Sequence, residues 1–288
     1  MIVMRIKGGL GNQLFQYAAA YAISKRLGQP LEFDPSFTAN MTARQYKLPQ
    51  LCVKSFDIVD IDKLPKAVLH LKNIYINKIF RILNISRYRC SNYLYLLETR
   101  DRLLPDFFTI NDSNLYIDGY FQSEEYFKEY RKDLIAQLCP KYKPEKEYVE
   151  ALNTICGCNS VAVHVRRSDF KKDNCSYHYL LDEEYYKRAI SEMRKRLEFP
   201  VFFWFSDDMA WVKEHIGMSP DFRFIQMKTK HGDIDDMMLM KNCNHIITAN
   251  STFSWWAAWL NENENVIRIV PKKPYGMEKM IPNGWIKL

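Results

Sequence analysis

Five apolar runs, at positions 161–165, 201–205, 222–225, 245–248 and 266–270, punctuate the second half of this chain, and helical stretches lie between most of them. The clearest of these helices is expected at 183–197, where Tyr186, Ile190, Met193 and Leu197 share one stripe. Strands that alternate with helices leave few folds open, and the reading is a parallel, doubly wound α/β sheet. Ligands of such sheets bind beyond the carboxyl ends of the strands, so the residues that follow each run are where chemistry is to be sought.

The run VAVHVRRSDF, 161–170, ends in charge. Alternation puts Val161, Val163 and Val165 on one face and Ala162, His164 and Arg166 on the other. His164, Arg166, Arg167 and Asp169 together suit an anionic phosphate ligand. The plainer reading is that the arginines form surface ion pairs with Asp169 and that His164 is a hydrogen-bonded core histidine.

Three further edges carry polar clusters. Ser206, Asp207 and Asp208 follow the 201–205 run, where at least one of them is expected to cap the next helix. Asp233-Ile234-Asp235-Asp236 contains a DxD string of the kind that holds a divalent metal in some sugar transferases. It opens a helical run, where capping is the stronger expectation. After 245–248 come Asn250, Ser251, Thr252, Phe253 and Ser254, at the start of a helix bearing Trp255, Trp256 and Trp259. A helix start offers N–H groups and hydroxyls to a phosphate, and the tryptophans are read as core.

The first half opens with a strand at 2–6, a glycine turn Gly8-Gly9-Leu10-Gly11, a helix from about 13 to 26 ended by Gly28, and a strand at 31–33. The glycines bring backbone N–H groups to a helix start, although the string is neither a dinucleotide fingerprint nor a P-loop. Asn12 there serves either as an N-cap or as a ligand contact. A strand is expected at 116–120, a helix at 124–138 and a linker at 140–144. Two domains follow, 1–145 and 146–288. Positions 63–104 read as a helical, basic insertion, either packing its apolar stripe on the domain or meeting anionic lipid.

Composition narrows the class. Two cores fit in 288 residues, and a charge of +7 from 41 basic and 34 acidic residues suits phosphates, anionic membrane or nucleic acid alike. Seven cysteines at irregular spacing make no zinc motif and point to a reducing cytosol. No signal peptide is read at the start and no stretch reaches roughly 18 to 20 apolar residues, so a cytoplasmic protein, at most peripheral on the inner face of the cell membrane, is expected. No GxSxG elbow or activated cysteine argues for a hydrolase. Only 73–89 approaches a nucleic-acid stripe.

Taken in order, GGLGNQLFQYA, IDGYFQSEEYF, HVRRSDF, FSDDMAWVKE and DDMMLMKNCNHIITANSTFSWWAAWLN resemble the α-1,2-fucosyltransferase family, and more distantly the α-1,6- and protein O-fucosyltransferases. The resemblance implies two Rossmann-like domains facing a cleft, the GT-B arrangement, and inverting transfer of fucose from GDP-fucose without a required metal or other cofactor. It implies that Arg166 holds the donor β-phosphate, that His164 and Asp236 lie near the guanine, and that Ser251, Thr252 and Phe253 wrap the diphosphate. Asn12, with Gly9 and Gly11, reaches in from the first domain. Asp207 and Asn250, at strand ends, complete the donor set. Where the family often has glycine, this chain has Ser168. The expected acceptor is the 2-hydroxyl of a terminal galactose in a glycan, deprotonated late either by a carboxylate, Asp169 with Asp118 or Glu124 as alternatives, or by the departing phosphate. Competing readings are a GT-B transferase that uses another nucleotide sugar and a non-enzymatic basic nucleotide- or RNA-binding protein.

Overall fold

The computed structural model describes residues 1–38, 45–54, 57–99, 103–167, 179–272 and 280–288. The chain divides into two compact units, Met1–Lys141 and Tyr142–Leu288.

In the first unit the elements are β1 (Ile2–Arg5), α1 (Leu10–Leu27), β2 (Leu31–Asp34), α2 (Lys66–Leu71), α3 (Ile74–Leu83), β3 (Arg87–Cys90), β4 (Tyr93–Leu97), α4 (Asp106–Thr109), β5 (Leu115–Asp118) and α5 (Arg131–Gln137). Their sheet runs β2-β1-β5-β4-β3, parallel except for β3 at the edge. The expected strand, glycine turn, helix and strand are all present. Ile2 registers with Leu31, which closes the first βαβ unit. Gly28 ends α1 at φ 61°, a left-handed conformation that glycine adopts without a Cβ penalty. The helix is buried almost all round from Leu10 to Ile23, as a helix covered by its own domain must be.

The 63–104 region departs from its expected helical form. Helices α2 and α3 end at Leu83, and the chain then makes a hairpin pairing Arg87 with Leu96 and Cys90 with Tyr93. The run Tyr-Leu-Tyr-Leu-Leu is buried at every position and fits a strand covered on both faces better than a one-faced helix. The expected helix at 124–138 also contracts, to two short 3-10 turns and α5, because Phe127 takes non-helical dihedrals between the turns.

The second unit contains α6 (Lys146–Cys156), β6 (Ser160–Val165), α7 (Glu183–Arg196), β7 (Val201–Ser206), α8 (Met209–His215), β8 (Phe222–Ile225), α9 (Gly232–Lys241), β9 (His245–Ile247), α10 (Thr252–Leu260), β10 (Arg268–Val270) and β11 (Ile286–Lys287). All five runs are strands of one six-stranded sheet, and every pairing in it is parallel. The spatial order is β11-β10-β9-β6-β7-β8. Counted from β6, this is the 3-2-1-4-5-6 order of dinucleotide-binding folds, with the chain reversing direction between β6 and β9. One core joins Val161, Val163, Val165, Trp204, Tyr186, Met193 and Ile247. The remaining tryptophans of α10 are buried, as expected of core.

Candidate active site

The reversal between β6 and β9 opens a crevice at the carboxyl edge of the sheet, and three chain segments emerge there. Val165 registers with Ser206 on β7, and Val163 with Ile247 on β9. Arg166 and Arg167, Asp207 and Asp208, and Thr248 to Ser251 therefore leave the sheet side by side. Periodicity alone had placed these clusters on separate strand ends; parallel pairing brings them together.

The two arginines are not equivalent. Arg166 keeps its side chain about a third exposed, with Nε 3.2 Å from Asp207 Oδ2. Asp207 Oδ1 also accepts the Arg167 backbone N–H at 2.9 Å. Arg167 is packed: its guanidinium lies 3.9 Å over the Trp211 ring, Nη1 donates to the Leu181 carbonyl at 3.4 Å, and Nε is 3.8 Å from Asp208. Arg167 thus braces the turn while Arg166 presents its face to the crevice. Asp208 caps α8, accepting the Trp211 N–H at 3.2 Å, and Ser206 Oγ accepts the Asp208 N–H at 2.9 Å. Asp207, expected among the donor contacts, has one oxygen on the Arg166 guanidinium and the other on the Arg167 amide. Ser168 and Asp169 lie outside the described residues.

His164 is 4% exposed, and its ring is tilted 48° to that of Phe253 at 5.4 Å. Around it the β9–α10 turn is tightly knit. Ser251 caps α10 by accepting the Phe253 N–H at 3.3 Å, Ser254 Oγ accepts the Ala249 N–H at 3.2 Å, and Thr252 opens the helix, buried. Asn250 is fully buried; its amide nitrogen donates to the Tyr179 carbonyl at 2.6 Å, tying the turn to the chain ahead of α7, while its Oδ1 has no hydrogen-bond partner among the described residues.

Asp236 stands just past the first turn of α9, the helix that packs on α10 and α6. Burial first, then the neighbouring Asp235, Asp233 and Glu147, push its carboxyl up to about 7. Its Oδ1 has no hydrogen-bond partner among the described residues. A buried carboxyl of this kind is suited to accept ring N–H donors. Asp235, the second acid of the DxD string, is occupied: the Tyr142 hydroxyl donates to it at 2.6 Å, and the Thr229 hydroxyl donates to its other oxygen. Asp233, inside the first turn, accepts the N–H of the adjacent Ile234 at 3.0 Å, while the flanking residue of α9 is His231 with no side-chain cap bond, so the cluster does not take the capping role expected of it. Tyr142 also stacks on His231 at 3.8 Å.

In the first unit, Gly8 sits at φ 79°, and a Cβ there would come within 2.5 Å of Asn12 Nδ2. Gly9 is the N-terminal flanking residue of α1, and Gly11 lies buried inside the helix. Asn12 is therefore not an N-cap; it is in the first turn, where its Oδ1 accepts from Gln122 Nε2 at 2.8 Å. Two residues that periodicity did not single out fix this loop. Gln13 donates to the Gly8 and Gln45 carbonyls at 3.1 and 2.7 Å, and Gln16 accepts the Lys7 N–H and donates to the Gly119 carbonyl, each at 3.0 Å. Glutamines in an otherwise apolar helix were the available signal.

Asp118 is unsuited to the base role considered for it. It is fully buried, with Oδ2 2.7 Å from Arg5 and 2.8 Å from the Tyr95 hydroxyl, and Oδ1 ion-paired to Lys7. Burial alone would raise its carboxyl, but Lys7 and Arg5 outweigh burial and hold it far below the usual range. A carboxylate so stabilised takes up no proton at neutral pH. The sequence signal for this network was Arg5 and Lys7, two cations two residues apart where the opening apolar strand ends. Glu124 begins a short 3-10 turn and is partly exposed.

The second unit is a doubly wound α/β unit with an arginine, a histidine and a hydroxyl-rich helix start at its switch point, the place where sheets of this class take their ligands. The chain belongs to glycosyl transferase family 11, which it matches over residues 1–286. It is 29% identical to an alpha-1,2-colitosyltransferase of Escherichia coli, over 100% of this chain and 99% of that protein. It is 25% identical to the mouse (Mus musculus) galactoside 2-alpha-L-fucosyltransferase Sec1, over 92% of this chain and 66% of the relative. Among solved structures it shares a fold with the fucosyltransferase NodZ from Bradyrhizobium, at a TM-score of 0.51 and 14% identity, covering 89% of this chain and 91% of that one.

Proposed function

We propose that this protein transfers L-fucose from GDP-fucose, with inversion, to the 2-hydroxyl of a terminal galactose in a glycan. The observation that carries the reading is the switch point itself, with Arg166 aimed by Asp207 beside the His164–Phe253 pair in a chain of glycosyl transferase family 11. The relative in mouse that is named a galactoside 2-alpha-L-fucosyltransferase supports the sugar, the acceptor and the linkage. In this reading the second unit takes the donor and the first, through Asn12, Gly9 and Gly11, completes the site in a GT-B arrangement.

Inverting transfer builds negative charge on the β-phosphate as the glycosidic bond breaks. A planar guanidinium held by a carboxylate meets that charge without reorganising, which a flexible lysine cannot do as well. Ser251 and Thr252, at the start of α10, bring N–H groups and hydroxyls toward the same diphosphate. With these groups supplying the positive field, no metal is required. Asp236 and His164 receive the guanine, the carboxyl accepting from its N1–H and its exocyclic amino group. Asp169, three residues beyond Arg166 in the chain, takes the acceptor proton late in the reaction.

A second donor is favoured by one comparison. The E. coli relative is named a colitosyltransferase, and colitose is fucose without its 3-hydroxyl, so one hydroxyl contact separates the two donors. Turnover with GDP-fucose, GDP-colitose, GDP-mannose and UDP-galactose, against a panel of galactosides with products read by mass spectrometry, tests both. A uridine donor preference sinks the proposal, and a product linked elsewhere than the galactose 2-position sinks its acceptor half.

A further inference from the structure

From Lys63 to Leu97 the chain carries seven Lys and Arg residues and no Asp or Glu. Removing those seven from the chain's 41 basic residues leaves 34 against 34 acidic ones, so this one segment accounts for the whole net charge of +7. Helix α3 lies in its middle. Its inward side is modest: Ile76 and Phe80 pack on the core of the first unit, and the Asn77 amide donates to the Leu71 carbonyl at 2.9 Å. The outward side is apolar. Tyr75, Ile79, Ile82 and Leu83, spaced i, i+4, i+7 and i+8, are 75, 52, 72 and 63% exposed, and Ile74 beside them is 73% exposed. Tyr88 of the following hairpin is half exposed and packs on Phe80, continuing the patch.

A stripe of large exposed aliphatics on one helix is unusual for a free surface. Its flanks identify the partner. Lys63, Lys72, Arg87 and Arg89 are ion-paired with Asp60, Asp34, Asp106 and Asp112. Lys66, Lys78 and Arg81 pair with no acidic side chain among the described residues, and the latter two lie on α3 itself. Ten residues of helix are about 15 Å long, half of what crossing a bilayer takes, so the helix suits lying in an interface rather than spanning it.

We infer that α3 docks this protein on an anionic lipid bilayer, its Tyr75, Ile79, Ile82 and Leu83 stripe entering the headgroup boundary while Lys66, Lys78 and Arg81 meet the lipid charge. Apolar insertion and basic attraction together are what a stable interfacial helix requires. The inference is independent of the donor and acceptor assigned above.

Sedimentation of the full-length protein with vesicles tests it. Binding is expected to vesicles of phosphatidylcholine with a third phosphatidylglycerol, to weaken on raising salt, and to be far weaker with phosphatidylcholine alone. Ile79→Ser combined with Ile82→Ser should lower the partition by tenfold or more. Lys78→Gln and Arg81→Gln should each lower it about fivefold. All four positions are solvent-facing, so thermal unfolding and turnover of a soluble acceptor should be unchanged. Equal binding to neutral and anionic vesicles, or by the wild type and the double serine variant, overturns the inference. So does a wild-type dimer in light scattering that the serine variant dissolves, since the stripe would then be covered by a second copy.

Discussion

The Arg166 guanidinium and the Asp207 carboxylate, from the ends of two neighbouring parallel strands, lie 3.2 Å apart, and Asp207 also accepts the amide of the next residue, Arg167, at 2.9 Å. A single carboxylate thus aims one arginine and clamps the turn that carries it. The partly solvated pair adds little to stability, so its value lies in orientation.

Removing the cation should therefore separate activity from folding. Arg166→Ala is expected to unfold like the wild type while transfer falls by about two to three orders of magnitude, and Arg166→Lys should not restore it. Turnover with GDP-fucose and a thermal melt on the same preparations check this. A tenth of wild-type turnover in the alanine variant would remove Arg166 from the reaction.

Asp207→Asn keeps an oxygen for the Arg167 amide but no longer holds Arg166 by charge. A fall of about tenfold in kcat is expected with little change in donor KM, since the loss is of alignment in the transition state. Steady-state kinetics decide it: a change confined to KM would make Asp207 a donor contact after all.

Asp236, raised to about 7, predicts two pH effects of known sign. The folded protein holds this proton between pH 4 and 7 where the unfolded chain releases it, so wild-type stability should decline through that window and level off above 7. Asp236→Asn lacks this decline and should be the more stable protein at pH 8, by up to about 4 kcal/mol. Guanine binding favours the ionised carboxylate, so GDP affinity should weaken below pH 7 by up to about tenfold per pH unit. Calorimetric titrations from pH 5.5 to 8 check it, and a flat affinity profile would detach Asp236 from the guanine.

Asp118→Asn leaves Arg5 and Lys7 facing each other in a buried site without a counter-charge. A loss of about 3 to 5 kcal/mol in denaturant unfolding is expected. Because the folded carboxyl is held down, the wild type keeps this advantage above about pH 4 and loses it as the solution is acidified further. An equal deficit at pH 7 and pH 3 would mean that the pair contributes no charge term.

Much of the second unit was legible because buried parallel strands are continuous apolar runs. All five runs became strands, and His164, Arg166 and Ser251 reached the same edge. The hairpin within 63–104 was not legible, because Arg87-Tyr-Arg-Cys alternates over only four residues and Tyr-Leu-Tyr-Leu-Leu, apolar throughout, reads as strand or helix alike.

Residue types and their periods were enough to determine the sheet class, the glycine loop with its helix, and the polar clusters that follow the strands. Only the tertiary structure decided what each polar group does there. It separated the partly exposed Arg166, paired with Asp207, from Arg167 stacked on Trp211, tied the Asn250 amide to the Tyr179 carbonyl, and bound Asp118 between two cations. The physical reason is that a charge's role depends on its distance from partners and from water, and these partners come from segments 40 to 113 residues away.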